Sequence, residues 1–378
     1  MIFFLKRFFL FIFIYFLLII KIHAIETRAY SAVILDSNSN IILFEKNSDV
    51  KQGPASMSKL MLTYIVFERL QNNTLSLDQE FLVSKKAWKY GGSKMFVNAG
   101  DMVSVNDLLK GIIIQSGNDA CIVLAEGLSG SEENMVDEMN DKAIEIGLTG
   151  SNFTNVTGWP HQDHYMTLRD IAHLSKLIID KFPEYYYLFS VNEFTYNDIR
   201  QFNRNRLIST DGYDGLKTGR TTQSGFGIAA SSKRNNRRII SVVNGLNTDK
   251  ERINETKKLV NWAFREFITL DLYKAGETIQ SAKVWLGKEP FVPLVLNDDL
   301  VITIKKKNID KYKIKLVYET PVISPIKKGD KIAKLHLIEG DNTKTKDIYA
   351  GKNIEKISRF YRSFSIVNYL LFGVSNKN

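Results

Sequence analysis

Three short motifs follow one another along the chain, and each borders a segment whose local fold the sequence predicts. In order they are Ser56-Met57-Ser58-Lys59, Ser116-Gly117-Asn118 and Lys217-Thr218-Gly219. The first opens a run that is apolar on most sides at helical spacing, which is typical of a buried helix. The third begins three short segments of strand character separated by turns, which predict an antiparallel meander. The fold therefore has to combine a buried helix, a loop between helices and an antiparallel sheet.

The hydrophobic pattern divides the chain into four segments. We predict a signal peptide at 1–24, an α+β domain at 25–270, a small all-β domain at 271–350 and a basic tail at 351–378. In the α+β domain, helices lie between two groups of strands. The predicted strands are 29–36, 41–46, 219–222, 225–231 and 238–244, and the predicted helices are 105–114, 119–128, 133–146, 168–179 and 254–267.

The N-terminus carries the parts of a secretory signal. Lys6 and Arg7 form its charged part, residues 8–20 its apolar part, and Ile22-His23-Ala24 resembles a cleavage site. The apolar run is short for a membrane span, which needs about 20 residues. We expect the mature chain to begin near Ile25 and to work outside the cytoplasm. An uncleaved membrane anchor is the alternative.

The C-terminal tail has the pattern of a helix that lies on a membrane surface. Its apolar residues recur at steps of three or four, at Ile354, Ile357, Phe360, Phe364, Val367 and Leu371. Basic residues accompany the early turns, at Lys352, Lys356, Arg359 and Arg362. Such a helix suits anionic head groups, here on the periplasmic face of the cytoplasmic membrane. The alternative is a helix docked on the β domain.

The distribution of charge argues against a nucleic-acid-binding protein, and the cysteine content excludes a protein stabilised by intramolecular disulfides. The formal net charge is +10, but the basic residues are scattered and form no nucleic-acid-binding motif. An anionic membrane surface or an anionic polymer is the better partner. Cys121 is the only cysteine, so no intramolecular disulfide can form, and its apolar neighbours predict a buried small hydrophobe.

The first motif can supply an activated nucleophile. Ser56 and Lys59 lie one helical turn apart, so their side chains share a face. A serine hydroxyl needs a neighbouring base, and a lysine serves as one only if burial or a second cation, here Lys217, destabilises its charged form. The alternative is a helix N-cap with a solvated lysine. That alternative fits Ser48 and Ser324 better, because their S-x-x-K matches precede no comparable helix.

The other two motifs can form the rest of a cleft. Ser116 and Asn118 lie in a loop between two predicted helices, where they present a hydroxyl and an amide, although Ser, Gly and Asn also suit plain helix caps. Lys217-Thr218-Gly219 lies where a strand is predicted to begin, and Gly219 would let a peptide lie along that edge. A simple turn is the alternative there.

A metal site is a further possibility that the spacing does not favour. His161 and His164 are close in sequence, with Asp163 between them, but they lie in a predicted loop and no further ligand follows at a recognisable spacing. We therefore predict neither a metal ion nor a cofactor.

These motifs and their flanks resemble the low-molecular-weight penicillin-binding proteins that act as serine D-alanyl-D-alanine carboxypeptidases. The resemblance covers nearly everything after the signal peptide. It rests on the segments 54–61, 115–120, 164–170, 214–219 and 238–243, together with the β-rich second domain and the basic C-terminus. It implies a catalytic domain of the serine β-lactamase and transpeptidase type, with an antiparallel sheet and a helical subdomain. Peptidoglycan stem pentapeptides and β-lactam antibiotics would be its ligands.

The resemblance also implies roles for individual residues. Ser56 would attack the bond between the two D-alanines with Lys59 as its base, and Ser116 with Lys217 would relay the proton to the leaving amine. Asn118 would hold the substrate amide, and the backbone N–H groups of Ser56 and Arg220 would form the oxyanion hole beside Gly219. The candidates for the terminal carboxylate are Thr218, Thr221 and Arg238.

The chain departs from the family pattern at one position, and three alternative functions fit the same motifs. Relatives usually carry histidine where this chain has Arg220, and a cation there could alter carboxylate affinity or penicillin turnover. The same motif set serves β-lactamases and DD-endopeptidases. No glutamate and asparagine pair suits a class A β-lactamase, because Glu132-Glu133-Asn134 follows the second motif too soon. A non-catalytic wall-binding scaffold is the third alternative.

Overall fold

The computed structural model describes residues 25–358 together with Tyr361, Ser363 and Val367. The predicted signal peptide and most of the predicted tail lie outside the described residues. The chain forms two compact units. Of the described residues, the first unit contains 25–34, Phe44–Ser232 and Ser241–Trp262, and the second contains Leu35–Leu43, Lys233–Ile240 and the described residues from 263 onward.

A five-stranded sheet holds the third motif at its edge. Its strands are β1 (Ser31–Asp36), β2 (Ile41–Lys46), β7 (Tyr213–Thr221), β8 (Gly225–Arg234) and β9 (Arg237–Leu246), in the order β2-β1-β9-β8-β7. β7 and β8 are antiparallel, with Thr218 opposite Ile228. Because β7 has a neighbour on one side only, its other edge is free to pair with an extended peptide.

The helices of the first unit pack around a buried one. Ten of the thirteen residues of α1 (Lys59–Gln71) are buried, which explains why its apolar residues occur on most sides. Ser104 and Thr167 cap the helices Val105–Lys110 and Leu168–Lys181 by accepting hydrogen bonds from the backbone of Asp107 and Asp170. The remaining helices are α2 (Lys85–Lys89), α3 (Val105–Lys110), α4 (Asn118–Ser129), α5 (Glu132–Glu145), α6 (Leu168–Lys181), α7 (Pro183–Tyr186) and α8 (Asp249–Glu266).

Two hairpins complete the first unit, and most of the second unit is β structure. The hairpins pair β3 (Glu80–Leu82) with β4 (Met102–Ser104) and β5 (Glu193–Tyr196) with β6 (Ile199–Phe202). The strands of the second unit are β10 (Phe267–Tyr273), β11 (Thr278–Trp285), β12 (Phe291–Val295), β13 (Leu300–Lys305), β14 (Tyr312–Tyr318), β15 (Val322–Ile323), β16 (Lys331–Glu339) and β17 (Asn342–Ala350). They form a β10-β13 pair and a sheet in the order β14-β16-β17-β12-β11-β15. Leu294, Leu335 and Ile348 belong to their shared apolar core.

The structure confirms the predicted α+β fold class followed by an all-β domain, and it corrects two details. β7 begins at Tyr213, so Lys217-Thr218-Gly219 lies in the second half of the strand and not at its start. Ile354 was predicted on the tail helix, but it is buried and pairs with Ile326. Ile357 is likewise not helical, and its N–H donates to the carbonyl of Leu286 at 3.0 Å.

Only part of the predicted tail helix can be compared with the structure. Tyr361, Ser363 and Val367 are helical, whereas Phe360, Phe364 and Leu371 lie outside the described residues. Within the part of the chain that the structure describes, no helix combines the length and the apolar character needed to cross a membrane.

Candidate active site

The first motif forms a short 3₁₀ turn that leads into α1. The turn spans Ala55–Ser58 and is anchored by the Met57 N–H, which donates to the Pro54 carbonyl at 3.2 Å. Ala55 has a φ of +50°, a left-handed conformation that is unfavourable for a residue with a Cβ. This strained turn places Ser56 at the N-terminal end of the buried helix, with its Oγ 2.9 Å from the Nζ of Lys59.

Lys59 is fully buried and surrounded by oxygen acceptors. Besides Ser56, its Nζ donates to the Asn118 Oδ1 at 2.8 Å and to the Thr157 carbonyl at 2.5 Å. The pKa of Lys59 is lowered to about 8, chiefly by burial; Cys121 and Asp119 oppose this shift, and the charge of Arg204 adds to it. Roughly a tenth of such a lysine is neutral at pH 7. Lys59 can therefore accept the serine proton.

Lys217 is the second buried lysine of the site. Its Nζ donates to the Thr218 carbonyl at 3.2 Å, and its side chain is almost fully buried. Burial lowers the pKa of Lys217 well below its usual range, and the charges of Lys59 and Arg204 lower it further. Because the charge of Lys59 disfavours the ammonium form of Lys217, Lys217 can give up a proton to a neighbouring group.

The second motif lies where a π-helical turn, Gly111–Gln115, ends and α4 begins. Ser116 adopts a left-handed conformation with a φ of +67°, and its buried Oγ has no hydrogen-bond partner in the described part of the chain. Asn118 is held from two sides, since its Nδ2 donates to the Gly91 carbonyl at 2.8 Å while its Oδ1 accepts from Lys59. A buried hydroxyl without a partner is free to bind a reacting group.

Two loops fix the groups around Lys59. The Asp119 carboxylate accepts hydrogen bonds from the backbone of Met95 and Phe96, at 2.9 and 3.0 Å, and so holds the 91–96 loop over α4. The Asn155 Oδ1 accepts from the backbone of Thr157 and Gly158, at 3.1 and 2.8 Å. The second loop orients the Thr157 carbonyl toward Lys59.

A cavity of about 330 Å³ brings the three motifs together. Ser56, Ser116 and Thr218 line it, with Gly219 and Arg220. The other lining residues are Ser93, Arg204, Arg206, Phe226, Asp249 and Arg252. The three arginines of this second group were missed by sequence reasoning. They come from the segment before β7 and from α8, and no local spacing relates them to the motifs.

The arginines differ in how firmly they are held. Arg252 is buried, ion-paired with Asp249, and donates from Nη1 to the Gly227 carbonyl at 3.3 Å, while its Nε is buried without a partner. Burial lowers the pKa of both Arg252 and Arg204. Arg220 is exposed, and its guanidinium lies 4.8 Å from the centre of the Phe226 ring. The cavity is therefore strongly positive beside the nucleophile.

The structure does not bring Arg238 to this cavity. Arg238 follows the Asn235-Asn236 turn, where its N–H donates to the Asn38 Oδ1 and its carbonyl accepts from the Ser37 N–H. Along β8, Arg234 at this turn lies six positions from Ile228, the partner of Thr218, a length of about 20 Å. Arg238 lines neither this cavity nor the neighbouring cleft, and its predicted contact with the substrate carboxylate stays a prediction. Thr221 lines a neighbouring cleft instead, and its Oγ1 accepts from the Ser224 N–H.

Other side chains of chemical interest have structural partners. The hydroxyl of Ser48 donates to Glu45, and that of Ser324 donates to the Leu286 carbonyl. The Nδ1 of His164 accepts from the Thr154 N–H, its Nε2 contacts the Ser58 hydroxyl, and burial lowers its pKa to about 4. Burial raises the pKa of the Cys121 thiol to about 12. Among the described residues, no three His, Cys, Asp or Glu side chains form a group suited to a metal ion.

Comparison with known proteins agrees with this geometry. A family described as D-alanyl-D-alanine carboxypeptidase matches residues 20–248, and one described as penicillin-binding protein 5, C-terminal domain, matches residues 267–356. The D-alanyl-D-alanine carboxypeptidase DacC of Escherichia coli is 37% identical over 354 residues, covering 91% of this chain and 88% of its own. The enzyme DacA of Haemophilus influenzae is 38% identical over 317 residues, covering 82% and 81%.

A solved structure leads to the same family. Penicillin-binding protein 5 from Haemophilus influenzae superimposes with a TM-score of 0.83 at 34% identity, over 89% of this chain and all of the other. Sequence similarity and structural similarity thus extend over both units of the chain. The chain therefore belongs to the serine D-alanyl-D-alanine carboxypeptidase family of low-molecular-weight penicillin-binding proteins.

Proposed function

We propose that this D-alanyl-D-alanine carboxypeptidase, which also binds β-lactams, uses Ser56 as its nucleophile and Lys59 as the base for acylation. The observation that carries the proposal is the 2.9 Å contact between the Ser56 Oγ and a lysine amine whose pKa is lowered to about 8. Neutral Lys59 takes the serine proton as the oxygen attacks the carbonyl carbon between the two D-alanines.

The second half of acylation needs a proton on the leaving nitrogen. The Ser116 hydroxyl lines the same cavity as Ser56 and has no hydrogen-bond partner among the described residues. The charge of Lys59 helps to lower the pKa of the buried Lys217. We assign the relay to Ser116 and Lys217. As the C–N bond breaks, the proton reaches the amine, D-alanine leaves, and water then hydrolyses the ester on Ser56.

The substrate backbone pairs with the free edge of β7. A peptide laid against Thr218 and Gly219 brings its scissile carbonyl to Ser56, and Asn118 holds the neighbouring amide. The close approach of β7 to the first motif favours this arrangement, because a Cβ at Gly219 would lie 2.8 Å from the Pro54 carbonyl oxygen. The backbone N–H groups of Ser56 and Arg220 then serve as the oxyanion hole, where each such donor lowers the barrier by about 3–4 kcal/mol.

We assign binding of the terminal carboxylate of the substrate to Arg252 and Arg204, together with Thr218. Both arginines line the catalytic cavity, and the Nε of Arg252 has no partner within the described residues. A buried guanidinium with an unused donor gains a charge-assisted hydrogen bond when a carboxylate enters. Arg220 adds a further cation at the rim.

Export and peripheral membrane attachment are also part of this proposal. The signal pattern in residues 1–24 supports export, and the helical, exposed Tyr361 and Val367 support a surface helix at the C-terminus. The mature enzyme would then act at the outer face of the cytoplasmic membrane.

The test of the activity is release of free D-alanine from a D-alanyl-D-alanine pentapeptide. We expect release by the parental protein and none by Ser56→Ala, whose fold is checked by its melting temperature. A penicillin adduct should map to Ser56. A folded parental protein that releases no D-alanine, or an adduct on Ser48 or Ser324, contradicts the proposal. Incubation with a cross-linked dimer of stem peptides measures any endopeptidase activity separately.

A further inference from the structure

A second and larger cleft, of about 930 Å³, begins beside the nucleophile. Ala55 and Gly158 line its inner end. Ala55 directly precedes Ser56, and Gly158 follows Thr157, whose carbonyl accepts from Lys59. The chemistry described above uses neither this cleft nor the residues that form its outer part.

The strand that binds the substrate connects the two spaces. Thr218 and Arg220 of β7 line the catalytic cavity with the arginines, whereas Thr221 and the residues after it line the second cleft. A peptide whose terminal carboxylate lies at Arg252 therefore extends its acyl portion past Ser56 toward this cleft. Three further residues of extended chain span about 10 Å, which the cleft can accommodate.

Lys51 gives the cleft a positive charge. Its side chain is exposed, its Nζ donates to the Tyr165 hydroxyl at 3.3 Å, and it lies 4.5 Å from the centre of the Tyr165 ring. Within the described residues it has no carboxylate partner, and no Asp or Glu lines this cleft. The backbone beside it is fixed, because Gln52 and Met166 exchange two hydrogen bonds, at 3.2 and 3.0 Å.

Gln52 offers an unused hydrogen-bond donor in the same cleft. Its Oε1 accepts from the Asn244 Nδ2 at 3.0 Å, while its own Nε2 is buried without a partner in the described structure. Buried polar atoms in native proteins are generally paired. An amide donor and a cation along one wall are suited to the carbonyls and a carboxylate of an acidic peptide.

We propose that this cleft binds the acyl portion of the substrate, and that Lys51 pairs with a carboxylate carried by a residue upstream of D-alanyl-D-alanine. The inference rests on the proposed function and deepens it by naming a substrate class. The enzyme selects stem peptides with a free upstream carboxylate over peptides in which that group is absent or amidated. Lys51 is a specificity residue and takes no part in the chemical steps.

The test compares two pentapeptides that differ only in whether the upstream carboxylates are free or amidated. For the free acid, kcat/KM should fall about two- to fivefold in Lys51→Ala and about tenfold in Lys51→Glu, where attraction becomes repulsion. Neither variant should change kcat/KM for the amidated peptide. The control is Lys85→Glu, an exposed lysine on α2 that lines neither space, and it should act like the parental protein on both peptides.

Acylation by 6-aminopenicillanic acid, which is too short to fill the second cleft, separates this inference from the proposed function. The role of Lys51 is supported if the Lys51 variants are acylated at the parental rate and lose kcat/KM only for the free-acid peptide. Equal losses on both peptides, no loss on either, or a matching loss of acylation overturns it. Failure of the parental protein itself to become acylated counts against the role of Ser56 and not against the cleft.

Discussion

At the scale of single residues, the site depends on two lysines whose pKa values are lowered by burial. Lys59 ends among three oxygen acceptors in a fully buried position, and its pKa falls to about 8. A group that acts as a base works only when deprotonated. The acylation rate should therefore rise with pH and level off above an apparent pKa of about 8, which belongs to the coupled pair of lysines. Stopped-flow measurement of penicillin acylation from pH 5.5 to 9.5 checks this.

The substitution Lys59→Arg tests the same residue, because it keeps the positive charge but cannot provide a neutral amine near pH 7. Acylation should fall by about 10²–10⁴, the usual contribution of a general base. The melting temperature shows whether the variant still folds. A folded variant with the parental acylation rate would remove Lys59 from the mechanism.

The carboxylate site can be tested with two matched arginines. A charge-assisted hydrogen bond is worth about 1.5–3 kcal/mol, so Arg252→Ala should lower kcat/KM for D-alanine release by about 10- to 150-fold. Arg238→Ala removes an arginine that lines neither space and should have little effect. A substrate amidated at its C-terminus should respond equally weakly to both. If Arg238→Ala causes the larger loss, Arg238 binds the carboxylate and Arg252 does not.

At the scale of elements, close backbone approach joins the 154–159 loop to the first motif. Gly158 has a φ of +79°, and a Cβ there would lie 2.0 Å from the Ala55 carbonyl oxygen. Gly147 also has a φ of +79°, but a Cβ there meets nothing within 4 Å. Gly147→Ala should cost about 1–2 kcal/mol of stability from backbone strain alone. Gly158→Ala should cost about 1–3 kcal/mol more and slow acylation, because Ser56 or Thr157 has to move.

Urea unfolding and penicillin acylation of both glycine variants measure this difference. Equal destabilisation with equal acylation would mean that the loop and the first motif are not coupled.

Some of the site was predictable because its chemistry is local in sequence. Ser56 and Lys59 share one helical turn, so their contact follows from spacing. Arg204 and Arg252 are about 50 residues apart and converge only through packing, which no single-sequence pattern reports. Arg238 does not line the cavity, because its place depends on a two-residue hairpin turn and on the length of β8. Local periodicity also predicted a helix at Ile354, but burial and pairing with Ile326 decide its conformation.

At the scale of the whole molecule, that last correction changes where the chain can be shortened. Ile354 is buried in the core of the second unit, and the chain just after it is held there because Lys356 pairs with Gly287 and the Ile357 N–H donates to the Leu286 carbonyl. Ending the chain after Ser358 should therefore leave a folded enzyme that binds penicillin and no longer sediments with membranes. Ending it after Ala350 removes Ile354, and losing a buried isoleucine costs about 2–5 kcal/mol.

The two truncations separate anchoring from folding. Each mature protein is mixed with vesicles containing anionic lipid and sedimented in low and high salt, and its thermal unfolding is recorded alone. We expect both truncated proteins to stay in the supernatant, with the shorter one unfolding its β domain at a lower temperature. If the protein ending at Ser358 still sediments with vesicles in high salt, the C-terminal helix is not the anchor, because removing it left membrane binding unchanged. An equal melting temperature for both would show that residues 351–358 add nothing to the β-domain core.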